Sequence, residues 1–156
     1  MNLSRLKLRR FIKESNLIEG ITEPPTARTV SVYDSFLWLE EVHLIDVQSL
    51  VSVIQPGAFL RQSPGMDVRV GGYFPPPGGP EIVKRATDLM AEVNVPGYAS
   101  TPHKVHLMYE TLHPFTDGNG RSGRALWLWM MIHHQNVQPE TFLHQFYYQT
   151  LQAFHG

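Results

Sequence analysis

The chain has 156 residues, enough for one domain that buries roughly two thirds of its unfolded surface. Hydrophobic residues make up 42%, charged residues 17%, and the formal net charge is −1, which excludes a disordered chain and a strongly basic nucleic-acid binder. With no cysteine, disulfides, iron–sulfur clusters and thiolate zinc sites are excluded as well.

Leu3, Leu6, Phe11 and Ile12 form a helical stripe over about 3–19, and Gly20 is a natural stop because glycine tolerates the left-handed cap. Five of the 13 Lys and Arg fall in this first stretch: Arg5, Lys7, Arg9, Arg10 and Lys13. They read as the solvated face of an amphipathic helix or as a docking arm for an acidic partner. The stretch has basic residues but no continuous apolar core, so a secretory signal is not expected. After the loop Glu23-Pro24-Pro25-Thr26, a second helix is expected over about 27–41, with Val30, Tyr33, Phe36 and Leu37 apolar. Asp46 is the expected cap of a third helix that runs to Ile54 and is closed by Pro56-Gly57.

From Arg61 to Pro80 the character changes to Pro-Gly, Gly-Gly and three consecutive prolines. Val68 and Val70 alternate beside Gly71-Gly72, which predicts a short β-hairpin flap lying on a helical body. Tyr73 on this flap is placed to touch a nucleotide or a target. Helices are then expected over about 81–93, from Thr101-Pro102 to about Leu112, and from Asn119 or Gly120 to Gln135. The last of these is nearly all apolar and central. A final helix is expected from about Pro139 to Phe154. The longest apolar run, Ala125 to Ile132, has eight residues, far short of the roughly 20 that span a membrane. A cytoplasmic protein is expected, without membrane or nucleic-acid contact, and the sequence leaves a homo-oligomer open.

The chemistry concentrates in His113-Pro114-Phe115-Thr116-Asp117-Gly118-Asn119-Gly120-Arg121-Ser122-Gly123-Arg124. Glycines where a helix begins let backbone N–H groups approach an anion. Arg121 and Arg124, three apart, can reach one side of the first turns, completing a polyphosphate cradle. Asp117 offers a hard oxygen for Mg²⁺ bridging phosphates, and His113 is a base near neutral pH. Phe115 reads as the anchor of the loop. His103, His106, His133, His134 and His144 raise the question of a transition metal, but no carboxylate motif accompanies them.

This stretch resembles the Fic family signature, HxFx(D/E)GNGRxxR, at every defined position. The flap segment Val68-Arg69-Val70-Gly71-Gly72-Tyr73 and the prolines after it also resemble that family, and the likeness covers about 30–135. It implies a mostly α, Fic-type helical bundle with a β-hairpin flap. The implied activity is protein AMP transfer from ATP to a Ser, Thr or Tyr hydroxyl of a target protein. By that pattern His113 deprotonates the hydroxyl and Asp117 holds Mg²⁺. Gly118, Asn119 and Gly120 bind phosphate oxygens, and Arg121 and Arg124 hold the β/γ end of ATP. Flap residues Val68 to Tyr73 dock the target.

Ser15-Asn16-Leu17-Ile18-Glu19-Gly20 resembles the family's inhibitory motif, (S/T)xxxE(G/N), which implies that Glu19 bonds Arg124 where the γ-phosphate must go. The organisation expected is an inhibitory helix segment at 1–25 packed on a single Fic domain at 26–156. Other Fic-type transfers, removal of AMP and a catalytically quiet nucleotide-binding module are the competing readings.

Overall fold

Ser4 opens the first helix: its Oγ accepts the Lys7 N–H at 3.2 Å, satisfying one of the amides a helix start leaves bare. The computed structural model describes residues 4–98 and 101–136. Helix α1 (Arg5–Ile18) buries Leu8, Phe11, Ile12, Ser15 and Asn16, the spacing of one helical face. Gly20, at φ +74°, then reverses the chain. Its N–H donates to Leu17 O and that of Ile21 to Asn16 O, both at 3.0 Å. These paired closing bonds fix Glu19 as the helix's last turn-former rather than leaving it on a frayed end.

Helix α2 (Ala27–Leu37) is capped by the Thr26 Oγ1. It stops four residues short of the expected 41, where the carbonyls of Leu37 and of Leu39 just beyond it are claimed from elsewhere. His133 Nε2–H donates to Leu37 O at 2.8 Å and Trp129 Nε1–H to Leu39 O at 2.9 Å. Helix α3 (Leu44–Ile54) starts two residues before Asp46. Asp46 is therefore not the cap but sits in the first turn, its Oδ2 accepting the His43 N–H at 2.8 Å.

The expected β-hairpin is reduced to a single bridge. Val70 and Tyr73 exchange two backbone hydrogen bonds of 2.9 Å around Gly71-Gly72, and no strand forms. In an antiparallel ladder the next hydrogen-bonded pair would be Val68 with Pro75, and proline has no N–H to give. The flap is thus a loop pinched at its tip. A second short pairing lies before it: Arg61 N–H donates to Pro114 O at 2.9 Å and Thr116 N–H to Phe59 O at 2.8 Å, on either side of the Leu60–Phe115 bridge.

Helix α4 (Pro80–Val93) begins with proline at a position where the missing N–H costs nothing. Helices α5 (Thr101–Leu112) and α6 (Asn119–Gln135) follow. The expected helix from Pro139 lies outside the described residues, as does His144. Helix α5 packs between α4 and α6, while α6 also meets α1, α2 and α3. Every residue of α6 from Arg121 to Met131 is buried, as befits a helix surrounded on all sides. Among the described residues no helix is long and apolar enough to cross a membrane. The architecture is mostly α.

Asn94 joins the α2–α3 connection to the end of α4. Its Oδ1 accepts the Val42 N–H at 2.7 Å and its Nδ2 donates to Val42 O at 2.8 Å. Asn94→Ala strands both groups of a buried residue and is expected to cost about 1–3 kcal/mol in denaturant unfolding; an unchanged midpoint contradicts this clasp.

Candidate active site

The loop from His113 to Gly118 links α5 to the buried N-terminus of α6. Asn119 shapes it: its Oδ1 accepts the Phe115 N–H at 2.9 Å and its Nδ2 donates to Phe115 O at 2.8 Å. Phe115 is 1% exposed, so its side chain anchors the loop from below while Asn119 holds its backbone. Gly118 turns at φ +78°, a conformation glycine adopts without cost. The first helical N–H bond of α6 runs from Ser122 to Gly118 O. The amides of Asn119, Gly120 and Arg121 precede that ladder and form the positive end of the helix. Below them Ser122 Oγ donates to Gly118 O and meets the Tyr109 hydroxyl at 2.7 Å.

His113 has φ +51°, a strain of roughly 1–2 kcal/mol for a residue with a Cβ. Its Nδ1 lies 3.3 Å from Glu110 O. A carbonyl only accepts, so Nδ1 carries the proton and Nε2 keeps its lone pair. Burial lowers the imidazole pKa from its usual value, and the Arg61 charge adds to this. The Glu110 carbonyl, Asp117 and Glu19 oppose it in part. The ring is therefore neutral near pH 7. Asp117 is exposed, and its Oδ1 accepts the Gly118 N–H at 2.8 Å.

Arg124, 4% exposed, is bound entirely by α1. Its Nε–H donates to Ser15 Oγ at 2.7 Å, and its Nη2 donates to Ser15 O at 3.1 Å and to Glu19 Oε1 at 2.7 Å. The Glu19 carboxylate lies directly over Gly120. A Cβ on Gly120 would collide with Glu19 Oε1 and come within 3.2 Å of Arg124 Nη1. Gly120 is thus the gap through which a carboxylate reaches the amide end of α6.

Two residues expected to bind phosphate are engaged elsewhere. The Asn119 carboxamide is committed to Phe115, as above. Arg121 turns toward the end of α3, donating through Nη1 to Ile54 O at 2.8 Å and through Nη2 to Gln55 Oε1. Of the flap residues Val68, Arg69, Val70, Gly71, Gly72 and Tyr73, the last reaches the end of α5. The Tyr73 hydroxyl donates to Thr111 O at 2.9 Å, and Arg69 sits over the Phe74 ring. His133 and His134 give their Nε2–H to Leu37 O and Val93 O, and no cluster of three metal-binding side chains occurs among the described residues.

A family model, described as the Fic/DOC family, matches residues 38–131. The chain belongs to the Fic/DOC family. No curated protein matches it at a significant level. The Fic match begins after α1 and α2, so Ser15 and Glu19 lie ahead of the matched region and reach into it through α1.

Three side chains of this Fic domain lay beyond sequence reasoning. Gln55 steadies Arg121. Arg61 is fully buried and bonds the first carbonyl of the His113–Gly118 loop. Glu110 faces Gly123, His106 and Arg124, with its Oε1 sealed and without a hydrogen-bond partner among the described residues. Only Glu110 left a trace in the sequence, in the last turn of α5 three residues before His113, which follows the helix end.

Burial pushes the Glu110 carboxyl up to about 7, against the pull of Arg124 and with some help from Glu19. The folded state holds this proton more tightly than the unfolded chain does. Stability from this group is therefore lost as pH rises from about 4.5 to about 7. Glu110→Gln removes that penalty. The variant is expected to match the parent's melting temperature at pH 4 and to exceed it at pH 8, by a gain of about 1–3 kcal/mol. A difference independent of pH contradicts the assignment.

Proposed function

We propose that this chain is a protein AMP transferase held closed by its own α1. The observation that carries the reading is the Glu19–Arg124 pair at 2.7 Å, seated over Gly120 at the amide end of α6. A carboxylate there occupies ground suited to a phosphate, since it pairs with a guanidinium beside the N-terminus of a helix.

Nucleotide triphosphate chemistry fits the residues around it. In the proposed reaction His113 Nε2 takes the proton of a Ser, Thr or Tyr hydroxyl. The freed oxygen attacks the α-phosphorus of ATP, the bond to the bridging oxygen of the β-phosphate breaks, and pyrophosphate leaves. The protein's contribution is position and charge rather than covalent chemistry. The amides of Asn119, Gly120 and Arg121 face developing negative charge. Arg124, once free of Glu19, holds the γ-phosphate. Asn119 and Arg121 act mainly by keeping the loop and the end of α3 in place.

A single exposed carboxylate at Asp117 suits Mg²⁺, which takes most of its ligands from substrate phosphates and water. Bound there, the ion would neutralise charge on the α- and β-phosphates. The exposed backbone of the flap offers an extended acceptor segment a pairing edge.

The helix carrying Glu19 competes with ATP at high local concentration because it is tethered. Glu19→Gly removes the competitor and leaves the signature untouched. AMP incorporation from α-labelled ATP, with Mg²⁺ and a cell lysate, should then rise about tenfold or more over the parent. Adding His113→Ala should lower it by about 10²–10⁴. The rate of Glu19→Gly should fall on acidification only below the usual histidine pKa, since burial depresses that of His113. A Glu19→Gly protein no more active than the parent would instead favour a closed nucleotide-binding module.

A further inference from the structure

The flap has no ladder to set its own position, yet it must present an acceptor chain to one nitrogen of one histidine. Arg61 supplies what the flap lacks. It is fully buried, and its guanidinium gathers four carbonyls from three places. Nε donates to His113 O at 2.7 Å and Nη2 to Leu112 O at 3.0 Å. Nη1 donates to Met66 O at 3.1 Å and to Pro76 O at 2.9 Å. Leu112 and His113 form the negative end of α5, where a helix leaves its carbonyls bare. Met66 and Pro76 are the two stems of the flap.

The Arg61 backbone repeats the connection, taking Pro114 O through its N–H and accepting the Gly79 N–H. Among the described residues the flap tip has one further tie, the exposed Tyr73–Thr111 bond, also to the end of α5.

We infer that Arg61 is a positioning residue that locks the flap and the His113 backbone into one unit, so that an acceptor chain docked on the flap meets Nε2 at a fixed distance. The inference rests on the transfer reading above. A planar fork with five donors can bridge four carbonyls in these directions, whereas an ammonium cannot. The same bonds hold His113 in its left-handed conformation. Displacing reacting groups by about 1 Å can cost about 100-fold in rate, so a loosened clasp should weaken transfer to protein far more than attack by water, which needs no flap.

The test compares Arg61→Ala and Arg61→Lys in the Glu19→Gly protein, reading AMP incorporation into lysate protein, hydrolysis of ATP to AMP, and ATP binding. Both variants should bind ATP within about threefold of their parent while protein transfer falls about 100-fold and hydrolysis less than about tenfold. Millimolar guanidinium should restore transfer in Arg61→Ala, and equal ammonium should not. Normal transfer, or equal loss of both reactions without guanidinium rescue, overturns the inference.

Hydrogen exchange on Glu19→Gly itself requires no Arg61 variant to fold. The amides of Met66 and Gly79 should show protection matching those of Arg61 and Thr116. Flap stems that exchange independently of the loop overturn the clasp. A Glu19→Gly protein inert toward ATP would overturn the reaction itself, a result distinct from either.

Discussion

A guanidinium cannot be buried without partners for its charge and its donors, and three of them are buried around one loop: Arg61, Arg121 and Arg124. Each reaches a different part of the chain, although Arg121 Nε is left without a hydrogen-bond partner among the described residues. Arg61 takes the end of α5 and the flap stems, Arg121 takes the end of α3, and Arg124 takes α1. The loop between α5 and α6 is therefore held from three directions by charge-assisted bonds, each stronger than a neutral one. The anchoring of the loop follows from this need. Arg61 and Arg121 bond backbone carbonyls inside the Fic match, whereas Glu19 is a side chain at the end of α1, ahead of that match.

The local field supports that division. Glu19 is 39% exposed while Arg124 is 5% exposed, so water stabilises the carboxylate once it is displaced and the arginine has more to lose. In the proposed reaction a triphosphate takes the place of Glu19 at Arg124, because leaving the arginine bare is costly. Behind it Glu110 is pushed toward neutrality, and His106 is pushed down to about 3 by burial. The wall behind Arg124 is therefore neutral below about pH 7 and gains the Glu110 charge above it, while the outward side offers Arg124 the Glu19 carboxylate. Neutral His113 completes a site that is basic in the chemical sense but carries its positive charge on arginine.

Much of this was legible in the sequence because it depends on local patterns. The helix stripes of α1, α4, α5 and α6 follow from apolar spacing, and Gly20 marks the end of α1. The dense run from His113 to Arg124 marked the family, and Ser15 and Glu19 announced their partner Arg124 through the family motif. What escaped depends on contacts distant in the chain. Helix α2 stops at Leu37, where His133 and Trp129 reach the carbonyls of Leu37 and of Leu39 beyond it. Asp46 was displaced from the cap by a helix that starts earlier. The hairpin failed at Pro75, a local cause that the Gly-Gly signal outweighed. Asn119 and Arg121 lie in the signature, yet their partners Phe115, Ile54 and Gln55 are fixed by folding. Arg61 sits among turn residues and shows no periodicity that could reveal four carbonyls from elsewhere.

The central claim is that Glu19 and the end of a nucleotide triphosphate compete for Arg124. A double-mutant cycle on ATP affinity, measured by calorimetry with Mg²⁺ present, addresses it directly. In the parent, Arg124 is already occupied, so Arg124→Ala should change ATP affinity by less than about threefold. In Glu19→Gly the same substitution should remove a charge-assisted contact worth about 1.5–3 kcal/mol, or about tenfold or more. Equal losses in the two backgrounds would contradict the competition and leave the ion pair as a structural contact only.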